Sequence, residues 1–183
     1  NASHQPLKPE PAARQIAWHL LTRGVQCLYH FTDRSNLTSI REAGLWSWCA
    51  LDTGQLPIAC PGGDQLSREL DYRCEIQDYV HLCFSAENHP MLDCALRDGR
   101  IKDPVVVKVK LDVARWFATL FSPVNATDSL AIAHMDGSLE ALRKCRIDIC
   151  RSGHHYAPKG AKLRQAEVLV KTHIPLKYLV FPE

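Results

Sequence analysis

Glu167 carries the most chemical information in this sequence. It sits in Arg164-Gln165-Ala166-Glu167-Val168-Leu169-Val170, a lone carboxylate at the entrance to an apolar run and directly after a long basic stretch. A carboxylate beside a buried strand is costly unless it is paired or used. Use means a proton taken or given, or positive charge stabilised. A glutamate that merely opens a strand and faces solvent is the plain alternative, and this segment alone favours it. Two further segments shift the balance: Tyr29-His30-Phe31-Thr32, and Asp78-Tyr79-Val80-His81-Leu82-Cys83-Phe84. Together the three point to a small enzyme with its acid or base on a late strand.

The stretch feeding Glu167 is unusually basic. Arg143, Lys144, Arg146, Arg151, Lys159, Lys162, Arg164 and Lys171 face only Asp148 and Glu167 over residues 143–171. Within it, Ser152-Gly153-His154-His155-Tyr156-Ala157-Pro158-Lys159-Gly160 reads as a loop by its Gly and Pro content. A basic loop with an aromatic can follow a phosphate backbone and stack on a base, which makes His154, His155, Tyr156 and Lys159 candidate nucleic-acid contacts. For a charge run alone a solvated surface loop is the commoner outcome; the direct connection to Glu167 favours a substrate-facing one.

Bulk properties bound the answer. A chain of 183 residues suits one domain with a sizeable core, expected over 10–183, after a loose Pro-rich and polar segment at 1–9. Net charge is only +2, so affinity for nucleic acid must come from local clustering. No apolar stretch approaches the ~20 residues of a membrane helix. The first residues, Asn1-Ala2, read as a cut or processed chain, so the lack of a signal pattern says little about the parent protein. Eight cysteines form no Cys-x-x-Cys pair, which argues against structural zinc or a disulfide framework. Cys145 and Cys150 lie near His154 and His155, but in a region expected to be flexible and without a paired knuckle. The expectation is no metal, a reduced cytosolic setting, and sequons at Asn36 and Asn125 without meaning.

The elements that must position these residues alternate between helical and strand patterns. Ile16, Trp18 and Leu20 place a helix over 10–23, ended by Gly24. A strand follows at 27–31, then a helix carrying Leu37, Ile40 and Ala43, capped by Asp33 or Ser35 and ended by Gly44. A short helix is expected at 65–72, a strand at 79–84, and a helix from His89-Pro90 to about Arg97. Val105 to Leu111 is the clearest strand. A helix at 139–145 and strands at 166–170 and 178–181 close the chain. These elements make no regular βαβ units, so the expected fold class is α+β, with a split or antiparallel sheet. Trp46, Trp48 and Trp116 are expected in the core or lining a pocket.

Leu28-Tyr29-His30-Phe31-Thr32 followed by Asn36-Leu37, Ile40 and Gly44-Leu45 resembles the opening of DarT-type ADP-ribosyltransferases. The middle segment with Pro90-Met91-Leu92, and Gln165-Ala166-Glu167-Val168-Leu169-Val170 before Pro175, are similar to later parts of that family, in the same order across roughly 26–180. The resemblance implies an ADP-ribosyltransferase-like α+β fold: a split mixed or antiparallel sheet with peripheral helices. It implies transfer of ADP-ribose from NAD⁺, as co-substrate, to thymidine bases of single-stranded DNA with release of nicotinamide. Glu167 would be the catalytic glutamate, Arg68 the catalytic arginine with Arg73 as competitor, and His30, Phe31 and Thr32 the NAD⁺ contacts. The loop over roughly 151–163 would present the nucleic acid.

Those residue types suit the reaction. Breaking the glycosidic bond of NAD⁺ builds positive charge on the ribose, which a carboxylate can stabilise; the weakly acidic thymidine N3–H needs a base in a dry site. An arginine can clamp the diphosphate bidentately. For His30 a core histidine satisfied by backbone is the alternative, and for Arg68 an exposed helix arginine paired with Glu69 or Asp71. His81 and Cys83 replace more aromatic character in the middle strand, which leaves an RNA or protein acceptor open, as it does a related NAD⁺-using RNA 2′-phosphotransferase. A non-enzymatic nucleic-acid-binding module is the other alternative. A DarT-like toxin implies a macrodomain antitoxin or an immunity protein as partner, no membrane association, and work in the cytoplasm, as resident or as a secreted or delivered toxin domain.

Overall fold

The computed structural model describes residues 5–54, 59–60, 63–87, 89–152 and 158–182, with the backbone alone at 158–159. The chain runs through α1 (Ala12–Thr22), β1 (Cys27–Asp33), α2 (Leu37–Ala43), β2 (Leu45–Trp46), α3 (Trp48–Gly54), α4 (Gln65–Arg73), β3 (Tyr79–Cys83), α5 (Pro90–Arg97) and β4 (Pro104–Lys110). It continues through β5 (Leu120–Ser122), α6 (Ser129–Ile132), α7 (Leu139–Lys144), α8 (Ile147–Arg151), α9 (Pro158–Leu163), β6 (Glu167–Lys171), β7 (His173–Ile174) and β8 (Leu179–Val180). Six strands form one antiparallel sheet in the order β5-β6-β3-β1-β4-β8, and β2 pairs β7 separately. This is the expected α+β class.

The sheet has an uneven seam. β1 matches β4 over its whole length, from Cys27↔Lys110 to Asp33↔Pro104, but meets β3 at a single pair, Tyr29↔Cys83. Alternation divides the residues between faces. Val80, Leu82, Val105, Val107, Val109, Val168 and Val170 belong to the main core with Ile16 and Leu20 of α1. On the other face Leu169 packs with Ile76 and Ala126 in a smaller cluster. Tyr29, His81, Cys83 and Glu167 share that second face by register.

Local signals set the ends. Gly44 ends α2 at φ 85°, its N–H donating to Ile40 O, and its Cα lies so close to β7 that an added Cβ would stand 2.5 Å from Ile174 O. Asp33 accepts from Ser35 N and Oγ, and from Lys102 N and Asp103 N. It therefore caps the 3-10 turn leading into α2 and ties β1 to the start of β4.

Three expectations need correction. The segment at 1–9 is not loose throughout: Leu7 bridges Trp116, Lys8 N–H donates to Arg115 O, and Lys8 Nζ donates to Phe117 O and Thr119 O. The region around Cys145 and Cys150 is packed, since both thiols are buried, one donating to Ser122 O and the other to Leu163 O. The expected loop at 151–163 contains α9, with Pro158 at its first position, where a missing N–H costs nothing. All eight cysteines are free thiols.

Candidate functional site

Glu167 opens β6 opposite Cys83 of β3 and Ser122 of β5. Its side chain is only 9% exposed, so both carboxylate oxygens need partners. Ala126 N–H donates to Oε2 at 2.7 Å, and His81 Nδ1 lies 3.3 Å from Oε1. Ala126 is held by an Asx turn in which Asn125 Oδ1 accepts from Thr127 N and Oγ1, and it packs on Leu169. The carboxylate is thus fixed from the loop on one side and from β3 on the other.

His81 lies between two acids. Its Nε2 is 3.9 Å from Asp71 Oδ2, too long for a hydrogen bond but close enough for ionic attraction. Burial opposes a charged imidazole, but the charge and hydrogen bond of Glu167, with the charge of Asp71, outweigh it and raise the His81 pKa to about 9. At neutral pH it is an imidazolium that donates to Glu167 and neutralises part of the acidic pair. Burial and the charge of Glu167 raise the Asp71 pKa, against the pull of His81 and of a hydrogen bond from Trp48. That bond runs from Trp48 Nε1 to Asp71 Oδ2 at 3.0 Å.

Arg68 precedes Asp71 by three residues on α4, so the two are neighbours on one helix face. Its guanidinium stands 5.3 Å from the Trp48 ring centroid and donates to Asp52 Oδ2 at 2.8 Å. Arg68 therefore reaches the site assembly through Trp48 and Asp71. Arg73, two residues past Asp71, is exposed in the last turn and does not share that face.

The β1 candidates occupy different positions. His30 Nδ1 lies 3.1 Å from His81 O, where it can only donate, and burial lowers its pKa. The neutral ring therefore spans the seam between β1 and β3 and keeps Nε2 as an acceptor. Phe31 is half-buried, its ring 5.2 Å from that of His89. Thr32 is buried and its hydroxyl oxygen accepts from Asn36 Nδ2; Asn36 also donates to Cys60 O and accepts from Cys60 N. Thr32 thus helps fix the end of the segment that leads to α4.

The candidate nucleic-acid residues His154, His155 and Tyr156 lie outside the described residues, as does the Lys159 side chain; Lys159 itself belongs to α9. Part of the surrounding charge is spent on structure. Lys162 donates to Asp128 Oδ2, Arg146 to Asp148, and Arg164 is buried.

Several residues at the site were not singled out for a role in the sequence: Asp71, Trp48, His89 and Ala126. His89, at the N-cap of α5, is buried with no hydrogen-bond partner at either ring nitrogen among the described residues, and desolvation lowers its pKa. Cys83, beside Glu167, is buried, and that burial pushes its thiol up to about 12, which favours the thiol over the thiolate. Among the described residues, no group of three or more His, Cys, Asp or Glu is placed to hold a metal ion.

A family model described as "ssDNA thymidine ADP-ribosyltransferase, DarT" matches residues 29–180. The chain belongs to the DarT family. It is accordingly an NAD⁺-dependent ADP-ribosyltransferase. Solved DarT structures carry the same fold. A Thermus sp. 2.9 DarT in complex with ADP-ribosylated ssDNA superposes with a TM-score of 0.68 at 17% identity, over 98% of this chain and 86% of that one. The Thermus sp. 2.9 DarT in complex with carba-NAD⁺ gives 0.64 at 17% identity, over 85% and 80%. A Thermosipho africanus DarTG in complex with ADP-ribose gives 0.67 at 23% identity, over 84% of this chain and 42% of that one. A search of curated proteins returns no match. No described helix is long and apolar enough to cross a membrane.

Proposed function

We propose that Glu167 is the catalytic carboxylate of this DarT enzyme, with Arg68 as its arginine and the seam between β1 and β3 as the place where NAD⁺ lies. The buried Glu167 carboxylate, held by Ala126 N–H and the His81 imidazolium, is the observation that carries the reading. In the reaction, the bond between the ribose anomeric carbon and the nicotinamide nitrogen breaks, and nicotinamide leaves with the electron pair. A new bond forms from thymidine N3 to that carbon, and the N3 proton passes to a base. Glu167 stabilises the positive ribose and takes that proton; its two fixed hydrogen bonds mean that little reorganisation is needed as charge develops. Arg68 offers a planar fork to the diphosphate or to the anionic base. His30 presents Nε2 as an acceptor for a ribose hydroxyl, and Phe31 with His89 forms an aromatic wall. Thr32 acts with Asn36 to hold the wall's edge. The segment 151–163, with His154, His155, Tyr156 and Lys159, presents the DNA strand.

The partner we propose is a macrodomain antitoxin or an immunity protein, consistent with the likeness to a DarTG chain in complex with ADP-ribose, and the place of action is the cytoplasm. The acceptor is tested by incubating the protein with NAD⁺ and single-stranded oligonucleotides that differ in one thymidine. Mass spectrometry should find an ADP-ribose adduct on the thymidine-containing strand alone. An adduct on both strands, or on RNA only, would overturn the acceptor assignment.

A further inference from the structure

A second charged surface lies away from Glu167, in a groove between α1 and α7. Its volume is about 690 Å³, within the range of small-ligand sites, and its lining includes Arg14, Arg23 and Arg143 but, among the described residues, no carboxylate. Arg14 has an ion-pair partner in Glu10, but at 3.8 Å between two exposed side chains, a pair worth little. Trp18, 69% exposed on α1, also lines the groove. An aromatic this exposed among guanidinium groups offers an open face for stacking.

His19 supplies the second observation. It is buried at 7% exposure and lines the same groove. Arg23 NH1 donates to its Nδ1 at 3.2 Å, so the neutral ring carries its proton on Nε2. Burial, with the charges of Arg23 and Arg143, lowers its pKa and keeps it neutral. That buried Nε2–H finds no hydrogen-bond partner among the described residues, an uncommon state for a buried donor. Positive charge and a stacking face meet in one groove, over a histidine donor that is itself closed off from solvent.

The groove lies over the sheet face that α1 covers, opposite the face of Glu167, so a strand that reaches both must pass an edge of the sheet. Arg151, the last residue of α8, donates to Gly24 O just beyond α1. In sequence, Arg151 is followed by the segment proposed above to present the DNA, then by α9 and Glu167. We propose that the groove between α1 and α7 is an accessory nucleic-acid site that holds a flanking stretch of the single-stranded DNA substrate, with phosphates on Arg14, Arg23 and Arg143 and a base on Trp18. This rests on the DNA reading above, since a strand engaged near Glu167 supplies the flank. An acidic protein segment would match the charge but leave the exposed indole face without a stacking partner.

The test compares a short oligonucleotide, with its target thymidine and minimal flanks, against one of about 20 nucleotides, longer than a single small binding site. Binding is read by fluorescence anisotropy without NAD⁺, and kcat and KM by transfer of labelled ADP-ribose. Trp18→Ala and Arg143→Glu both alter exposed side chains, so folding is preserved. For the long strand, Trp18→Ala should weaken binding about 5- to 100-fold, the loss of one stacked base. Arg143→Glu should make the salt dependence shallower by about 0.7 in log–log slope for each phosphate it no longer neutralises. The short strand and kcat should be unchanged. Equal binding of the long strand by wild type and both variants would overturn the proposal. So would variants that keep the long strand but lose a polyglutamate peptide, which would assign the groove to an acidic protein. A wild type that binds both strands but labels neither would contradict the transferase reading instead, because anisotropy judges the groove separately.

Discussion

The carboxylate of Glu167 would be expensive to bury alone, and its cost is offset by an amide on one side and an imidazolium on the other. The same coupling makes His81 a reporter. Its folded pKa of about 9 lies above the unfolded value near 6.5. The stability it contributes is therefore complete below about pH 6.5 and disappears as pH rises through about 9. Lys8, lowered to about 8 chiefly by burial, runs the other way above that pH, so the comparison must be with a variant. Urea midpoints should show wild type losing stability between pH 6.5 and 9 relative to His81→Gln; a constant gap between the two would contradict the ion pair. At the arginine, the neighbour relation to Asp71 and Trp48 sets the expectation. Arg68→Lys loses the planar fork and should lower kcat/KM at least tenfold, about 1.4 kcal/mol. Arg73→Lys should leave it within twofold in the same assay. The reverse order would assign the role to Arg73.

The elements that carry the site were legible where a period was long enough to read. Val105, Val107 and Val109 alternate with Lys108 and Lys110, and β4 covers that run, paired between β1 and β8. The same alternation in Tyr79-Val80-His81-Leu82-Cys83 sends Val80 and Leu82 to the main core and His81 to the other face. Three residues of β5 and two each of β2 and β7 are too short to show any period. Gly160 and Pro158 read as loop signals, yet Pro is favoured in a first helical turn, and the end of α9 is tied to α8 where Leu163 O accepts from Cys150 Sγ. Gly44 shows how tightly such short pieces depend on one another. Its positive φ and the 2.5 Å approach of Ile174 O to an added Cβ mean that Gly44→Ala must move β7 away from α2. It should cost about 1–3 kcal/mol in chemical denaturation; a cost near zero would show that the turn is slack.

At the scale of the molecule, the candidate site is assembled from β1, β3, β6, α3, α4 and the loop at Ala126. Glu167 stood out because a carboxylate at the mouth of an apolar strand is an anomaly of composition. Asp71 and His81 did not stand out as its partners, because their meeting depends on the register Cys83↔Glu167 across 84 residues of sequence, which no local pattern encodes. Ala126 contributes only a backbone N–H and leaves no side-chain signature. The N-terminal tie at Leu7 and Lys8 was hidden likewise, since its partners lie more than 100 residues away. The family resemblance supplied what local physics could not: the order of three segments that the antiparallel sheet brings side by side. The central claim is that Glu167 is the catalytic carboxylate of an ADP-ribosyl transfer, and Glu167→Gln tests it most directly. Glutamine keeps the shape and can still accept from Ala126 N–H, so the fold should survive. With labelled NAD⁺ and a thymidine-containing single strand, transfer should fall by about 10²- to 10⁴-fold while anisotropy still shows the strand bound. Transfer at the wild-type rate by a folded Glu167→Gln protein would contradict the account.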